Sequence, residues 1–116
     1  MKKAKNKPTA TPHFKGRIVM IGCGSIGQAV LPVIGRHLDG IHERLTVLAA
    51  DEAGRRIAER CGTQFIHCNL TPSTFRATLK KYLREGDVML NLSIDISSID
   101  LIRFCAERGV LYVDTS

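Results

Sequence analysis

Along the chain, short apolar runs alternate with longer stretches in which apolar residues recur every three or four positions. Arg17–Ile21 (RIVMI) is a β-branched run that ends at a glycine. Ser25–Leu38 follows with Ile26, Val30, Val33, Ile34 and Leu38 at helical spacing, and Pro32 inside it predicts a bend. After a loop at Asp39–Arg44, Leu45–Ala50 (LTVLAA) reads as a second strand. Glu52–Cys61 reads as a charged helix with Ile57 and Ala58 inward and Gly62 as its C-cap. Gln64–Asn69 is a third short strand. Thr71-Pro72-Ser73 opens the next helix, whose buried stripe is Phe75, Leu79 and Leu83 and which Gly86 ends. Asp87–Leu92 (DVMLNL) is strand four. A helix over Ile99–Arg108, capped by Ser97 or Ser98 and stopped by Gly109, leads into Val110–Val113 as strand five.

Strands that alternate with helices imply βαβ units, because parallel neighbours need a long crossover. The expected fold is therefore an α/β, doubly wound Rossmann-type parallel sheet of five strands and four helices, in the order 3-2-1-4-5.

Composition changes this picture only at one end. The chain has 116 residues, 44% hydrophobic and 24% charged, which suits one domain with a real core and excludes a disordered chain. Its longest apolar runs are far short of the roughly 20 residues that cross a bilayer, so no membrane partner is expected. The net charge is +6. Lys2, Lys3, Lys5, Lys7, Lys15 and Arg17 account for all of it, and the remaining residues balance. Residues 1–16 thus read as a solvated, disordered basic tail, and 17–116 as the folded domain. No basic or aromatic platform follows, so no specific nucleic-acid partner is expected. Cys23, Cys61, Cys68 and Cys105 form no CxxC pair or Cys/His quartet. They read as reduced thiols of a cytoplasmic protein, with no metal site. His67-Cys68 comes nearest to a metal pair, but neighbours in a strand point to opposite faces.

The sharpest motif is Gly22-Cys23-Gly24-Ser25-Ile26-Gly27, a GxGxxG that directly follows the first strand and opens the first helix. In that context Gly22 permits the tight turn, Gly24 admits a pyrophosphate to the backbone, and Gly27 lets the helix pack on the sheet. The amides of Ser25 and Ile26 then face the phosphates at the positive helix end. A ribose-binding acid is expected at the end of strand two. The usual position holds Ala49, and Asp51 comes two residues later, where it can reach the ribose or cap the next helix. A small residue there, with Arg55 and Arg56 nearby, also suits a 2′-phosphate. NAD and NADP both stay open, with NAD preferred.

Strand four ends in Asn91, Ser93 and Asp95, polar residues alternating with apolar ones at the carboxyl edge where ligands of open α/β sheets sit. The segment either lines the cofactor crevice or merely caps the following helix through Asp95, Ser97 and Ser98, and for Asn91 and Ser93 the two readings are close. Ser97 and Ser98 read as helix caps.

The segments IVMIGCGSIGQAVLPVI, LTVLAADEAG and MLNLSIDISSIDLIRFCAERGVLYVDTS resemble the dinucleotide-binding region of the homospermidine synthase family, within the saccharopine-dehydrogenase-like group. The resemblance implies NAD held as a recycled prosthetic group. Putrescine is oxidised to an imine, a second amine adds with loss of ammonia, and the new imine is reduced to homospermidine. It further implies that Gly22, Gly24, Ser25, Ile26 and Gly27 hold the pyrophosphate. Asn91, Ser93 and Asp95 would line the crevice, and Asp114 and Thr115 would stand near the nicotinamide. That family needs several hundred residues. The chain is therefore expected to be incomplete, inactive alone, and able to meet a polyamine only when a substrate domain is supplied. No catalytic acid–base couple is expected within it.

An alternative is a stand-alone nucleotide-sensing regulatory module of similar length. It would share the glycine loop but would not be expected to carry NLSIDISS. An uncovered apolar face at strand five predicts aggregation or a homodimer.

Overall fold

The computed structural model describes residues 14–115; the expected basic tail falls mostly outside the described residues. Of its last part, Phe14 packs on the core, and the Arg44 guanidinium donates to the carbonyls of Phe14 (2.8 Å) and Gly16 (2.6 Å).

Five strands form one sheet: β1 (Ile18–Ile21), β2 (Leu45–Ala49), β3 (Gln64–His67), β4 (Val88–Asn91) and β5 (Leu111–Asp114). All pairings are parallel and the order is β3-β2-β1-β4-β5, as the alternating pattern predicts. Helices α1 (Ser25–His37), α2 (Arg55–Cys61), α3 (Phe75–Leu79) and α4 (Ser98–Arg108) supply the crossovers. Central β1 is buried at every position, so it reads as a continuous apolar run.

The period-2 alternation of strands divides the core into two layers. Val19, Ile21, Leu48 and Met89 face α3 and α4, where they meet Phe75, Leu79, Leu101 and Phe104. Ile18, Met20, Val47 and Ala49 face α1 and α2, where they meet Leu31 and Ala58. The chain winds leftward from β1 to β3 with its helices on one face. It then crosses to β4 and continues with helices on the other. The strand order therefore reverses at β1, and the loops after β1 and β4 part there to leave a crevice. No helix among the described residues is long and apolar enough to cross a membrane.

Several element ends move inward from the positions the pattern suggests. The second helix begins at Arg55 rather than Glu52, with Gly54 as its N-cap. Asp51 does not cap it. Its Oδ1 accepts the Ala53 amide at 2.9 Å, closing a turn before the helix starts. Gly54 is pressed on Cys23, and a Cβ there would collide with the Cys23 side chain and carbonyl. The third helix is a single α-turn and a half. Thr74 Oγ1 accepts the Thr71 amide at 3.1 Å, which competes with helical bonding at its start. After Leu79, Lys81 and Tyr82 bond three residues back, tightening the end. Phe75, Leu79 and Leu83 are nonetheless buried as one stripe. Ser97 caps α4 by accepting the Asp100 amide, and Gly62 and Gly109 end their helices at positive φ.

Candidate dinucleotide-binding site

The crevice lies at the carboxyl ends of β1, β2 and β4, with a volume of about 220 Å³. Its walls include Gly22, Cys23 and Gly24 from the loop after β1, Ala50 and Asp51 after β2, and Ser93 and Asp95 after β4.

Protein contacts crowd two of the three glycines and leave the third open. Gly22 has φ +86°, and a Cβ there would sit 3.2 Å from Ser93 Cβ and 3.3 Å from the Leu92 carbonyl. Gly27 is buried, and a Cβ would press on Cys23 Sγ at 3.3 Å and on Gly22 O and Leu92 Cδ1 at 3.4 Å. At Gly24 nothing lies within 4 Å of where a Cβ would be. No protein atom demands glycine there, so the open space belongs to whatever approaches the backbone.

Gly24 is also the N-cap of the 13-residue α1 and carries no side-chain cap. The first α1 backbone bond is Gln28 N to Gly24 O at 2.9 Å. The amides of Ser25, Ile26 and Gly27 therefore have no partner within the helix and present donors and positive dipole to the crevice. No acid stands in the first turn. Burial, then Asp51, then Cys61 push the Cys23 thiol up from its ordinary pKa, so the loop adds no negative charge of its own. These features of the loop fit a diphosphate: free donors, helix dipole, exposed backbone and no acid in the loop or the first turn of α1.

Asp51 stands at the β2 side of the crevice and Ser93 and Asp95 at the β4 side. The Ser93 hydroxyl accepts the Asp95 amide at 3.1 Å, folding the loop over the crevice. Asn91 does not line it. It is 3% exposed, beneath the loop, where its Oδ1 accepts the Ser93 amide (3.0 Å) and its Nδ2 donates to Tyr112 Oη (3.0 Å). Tyr112 in turn donates to Asp114 Oδ2 at 2.8 Å. Asp114 pairs with Asn91 in the β4–β5 register, so it joins this network at the adjacent strand end, and exposed Thr115 follows it. Burial, above all, raises the Tyr112 pKa and keeps the phenol protonated as the donor to Asp114.

Arg55 is not free to meet a ligand. Its guanidinium is paired with Glu52 and, at 3.7 Å, with Glu59, and it lies over the Phe65 ring. The hydrogen bond from Arg55 holds the Glu52 carboxyl below its ordinary pKa. His67 places Nε2 at 2.8 Å from Ala50 O and Nδ1 at 3.1 Å from Glu52. Among the described residues no cluster of three or more His, Cys, Asp or Glu side chains is placed to hold a metal.

Sequence reasoning missed Cys68, Leu70 and Ile96, which with Leu48 line a small apolar recess beside Gly22 and Ser93. The available signal was that strand three also ends at the same carboxyl edge.

The comparisons with known proteins agree with this fold. The family described as the saccharopine dehydrogenase NADP binding domain matches residues 18–116. The homospermidine synthases of Mesorhizobium japonicum and Blastochloris viridis are 39% and 40% identical to the chain over 106 residues. That alignment covers 89% of this chain and 22% of each relative, so the chain spans about a fifth of their length. The crystal structure of the homospermidine synthase of Legionella pneumophila in complex with NAD superposes with a TM-score of 0.83 at 34% identity. It covers 87% of this chain and 22% of that one. The chain belongs to the saccharopine dehydrogenase NADP-binding-domain family and is homologous to the dinucleotide-binding part of homospermidine synthase.

Proposed function

We propose that the chain is the cofactor-holding part of a homospermidine-synthase-like enzyme and binds NAD across the crevice. The observation that carries this reading is the loop Gly22–Gly27. Two of its glycines are required by protein contacts, while the third faces open space beside three unpaired helix amides. The pyrophosphate lies on Gly24 and the amides of Ser25, Ile26 and Gly27. The Asp51 carboxylate accepts from the hydroxyls of the adenosine ribose. A carboxylate there repels a 2′-phosphate, so NAD is favoured over NADP. Ser93 and Asp95 close the crevice, and the Asn91–Tyr112–Asp114 network fixes their loop toward the nicotinamide end.

When bound, the nicotinamide supplies the acceptor and donor of the hydride. The reaction of the assembled enzyme is oxidation of putrescine to an imine, addition of a second amine with loss of ammonia, and reduction to homospermidine. This chain contributes binding and orientation and is inactive alone. Its four cysteines are free, in keeping with a reducing, cytoplasmic setting.

Calorimetric titration with NAD, NADH and NADP tests the reading. NAD and NADH should bind, NADP about tenfold more weakly, and Asp51→Asn should narrow that gap. Failure of all three to bind at millimolar concentration overturns it. Formation of homospermidine from putrescine by this chain alone would overturn its inactivity.

A further inference from the structure

At the opposite end of the sheet from the crevice, the amino ends of β1, β2 and β3 and the turn after α3 enclose a second groove of about 240 Å³. Arg17, Lys81 and Arg84 line it, together with Thr46, Gln64 and Tyr82, and no acidic side chain does. None of the three cations enters an ion pair among the described residues. Asp87 is buried, and both of its oxygens accept backbone amides, from Arg17 at 2.9 Å and Arg84 at 2.7 Å. It pins the two chain segments together through their backbone amides and forms no ion pair with either guanidinium. The Thr46 hydroxyl donates to Gln64 Oε1 at 3.2 Å, which leaves the Gln64 NH₂ as a donor.

Three cations with added neutral donors on one groove, and no acid among them, favour an anionic ligand. Guanidinium forks match tetrahedral oxyanions in paired hydrogen bonds, and an ammonium adds a point charge. Three positive charges suit a ligand with several negative charges, and the volume suits two or three linked phosphoryl groups rather than a whole dinucleotide. We propose that Arg17, Lys81 and Arg84 form a binding site for a condensed phosphate, separate from the dinucleotide crevice. The site draws on residues 17 and 81–84, which the β1–β4 pairing and Asp87 bring together, and its affinity falls with rising salt.

Inorganic tripolyphosphate is the probe, titrated calorimetrically into the full chain at about 0.15 M salt. One-to-one saturable binding is expected. The exposed pair Lys81→Gln/Arg84→Gln should weaken it at least about tenfold, and Arg17→Gln on its own by about threefold or more. Lys2, Lys3, Lys5 and Lys7 changed together to Gln should leave it within about twofold, since the site lies in the groove. Thermal melting and NAD titration of each variant report whether the fold and the crevice are intact, so failure of the dinucleotide reading is seen separately. Absence of saturable binding to the parent overturns the proposal. So does binding that survives in a folded groove variant but is lost with the four lysines.

Discussion

Replacing Gly24 with Ala separates ligand binding from folding more cleanly than any other change in the chain. Gly24 has φ −83° and ψ −149°, just past the edge of the β region, so alanine is strained there only modestly, and a methyl group meets no protein atom within 4 Å. The folded chain loses the better N-cap and takes on that strain, together roughly 1–2 kcal/mol, or several degrees in Tm. The methyl does occupy the space over the unpaired amides of Ser25, Ile26 and Gly27. A phosphate held off those donors loses at least one charge-assisted hydrogen bond, about 1.5–3 kcal/mol. At 1.4 kcal/mol per tenfold, Kd for NAD should rise by roughly ten- to a hundredfold. Calorimetric titration with NAD and urea unfolding of the same preparation measure the two quantities together. A variant that keeps its stability and binds NAD within about twofold of the parent would refute placement of the pyrophosphate on Gly24.

Gly22→Ala should behave in the opposite way, because left-handed backbone costs roughly 1–2 kcal/mol and crowding against Leu92 and Ser93 about 1–3 more. Its urea midpoint should fall clearly, and a midpoint equal to the parent's would contradict the loop geometry. His42, whose Nδ1 lies 2.6 Å from Thr63 Oγ1, has its pKa lowered by burial from the ordinary 6.5. Its neutral ring therefore contributes stability that is complete above that value and is lost as pH falls toward the folded-state pKa. Stability of the parent should drop more between pH 7.5 and 5 than that of His42→Gln, measured by urea unfolding at about those two pH values; equal drops would remove His42 from the account. Leu111 and Val113 are 62% and 42% exposed on edge strand β5, with Ile99 and Ile102 exposed on neighbouring α4. We expect the chain to self-associate through this edge and Leu111→Lys/Val113→Lys to disperse it in sedimentation velocity. A parent that stays monomeric at every concentration reached would sink that expectation.

The legible parts of the fold were those that local chemistry dictates. Ile18–Ile21, Leu45–Ala49 and Val88–Asn91 are apolar runs bounded by glycine or polar turns, and each became a central strand. Gly62 and Gly109 end helices because only the left-handed region closes those turns without a Cβ penalty. Element starts were less legible. Arg55, not Glu52, begins α2, because Asp51 closes a turn and Gly54 must fit on Cys23, a contact 31 residues away in sequence. The same limit applied to the site. Nothing local distinguishes Asn91, sealed beneath the β4 loop, from Ser93, which lines the crevice two positions later.

By itself the sequence determined the alternation of strand and helix, hence the parallel sheet and its order, and the glycine spacing at the first crossover. Hydrophobic period and backbone sterics are properties of a few neighbouring residues, so they can be read along the chain. Tertiary structure alone decided which polar groups converge. Strand register brought Asp51 and Asp95 to one crevice, tied Asn91 to Tyr112 and Asp114, and gathered Arg17 with Lys81 and Arg84 at the far end. Those meetings depend on crossovers and on the packing of helices over two sheet faces, distances in space that residue order does not encode locally.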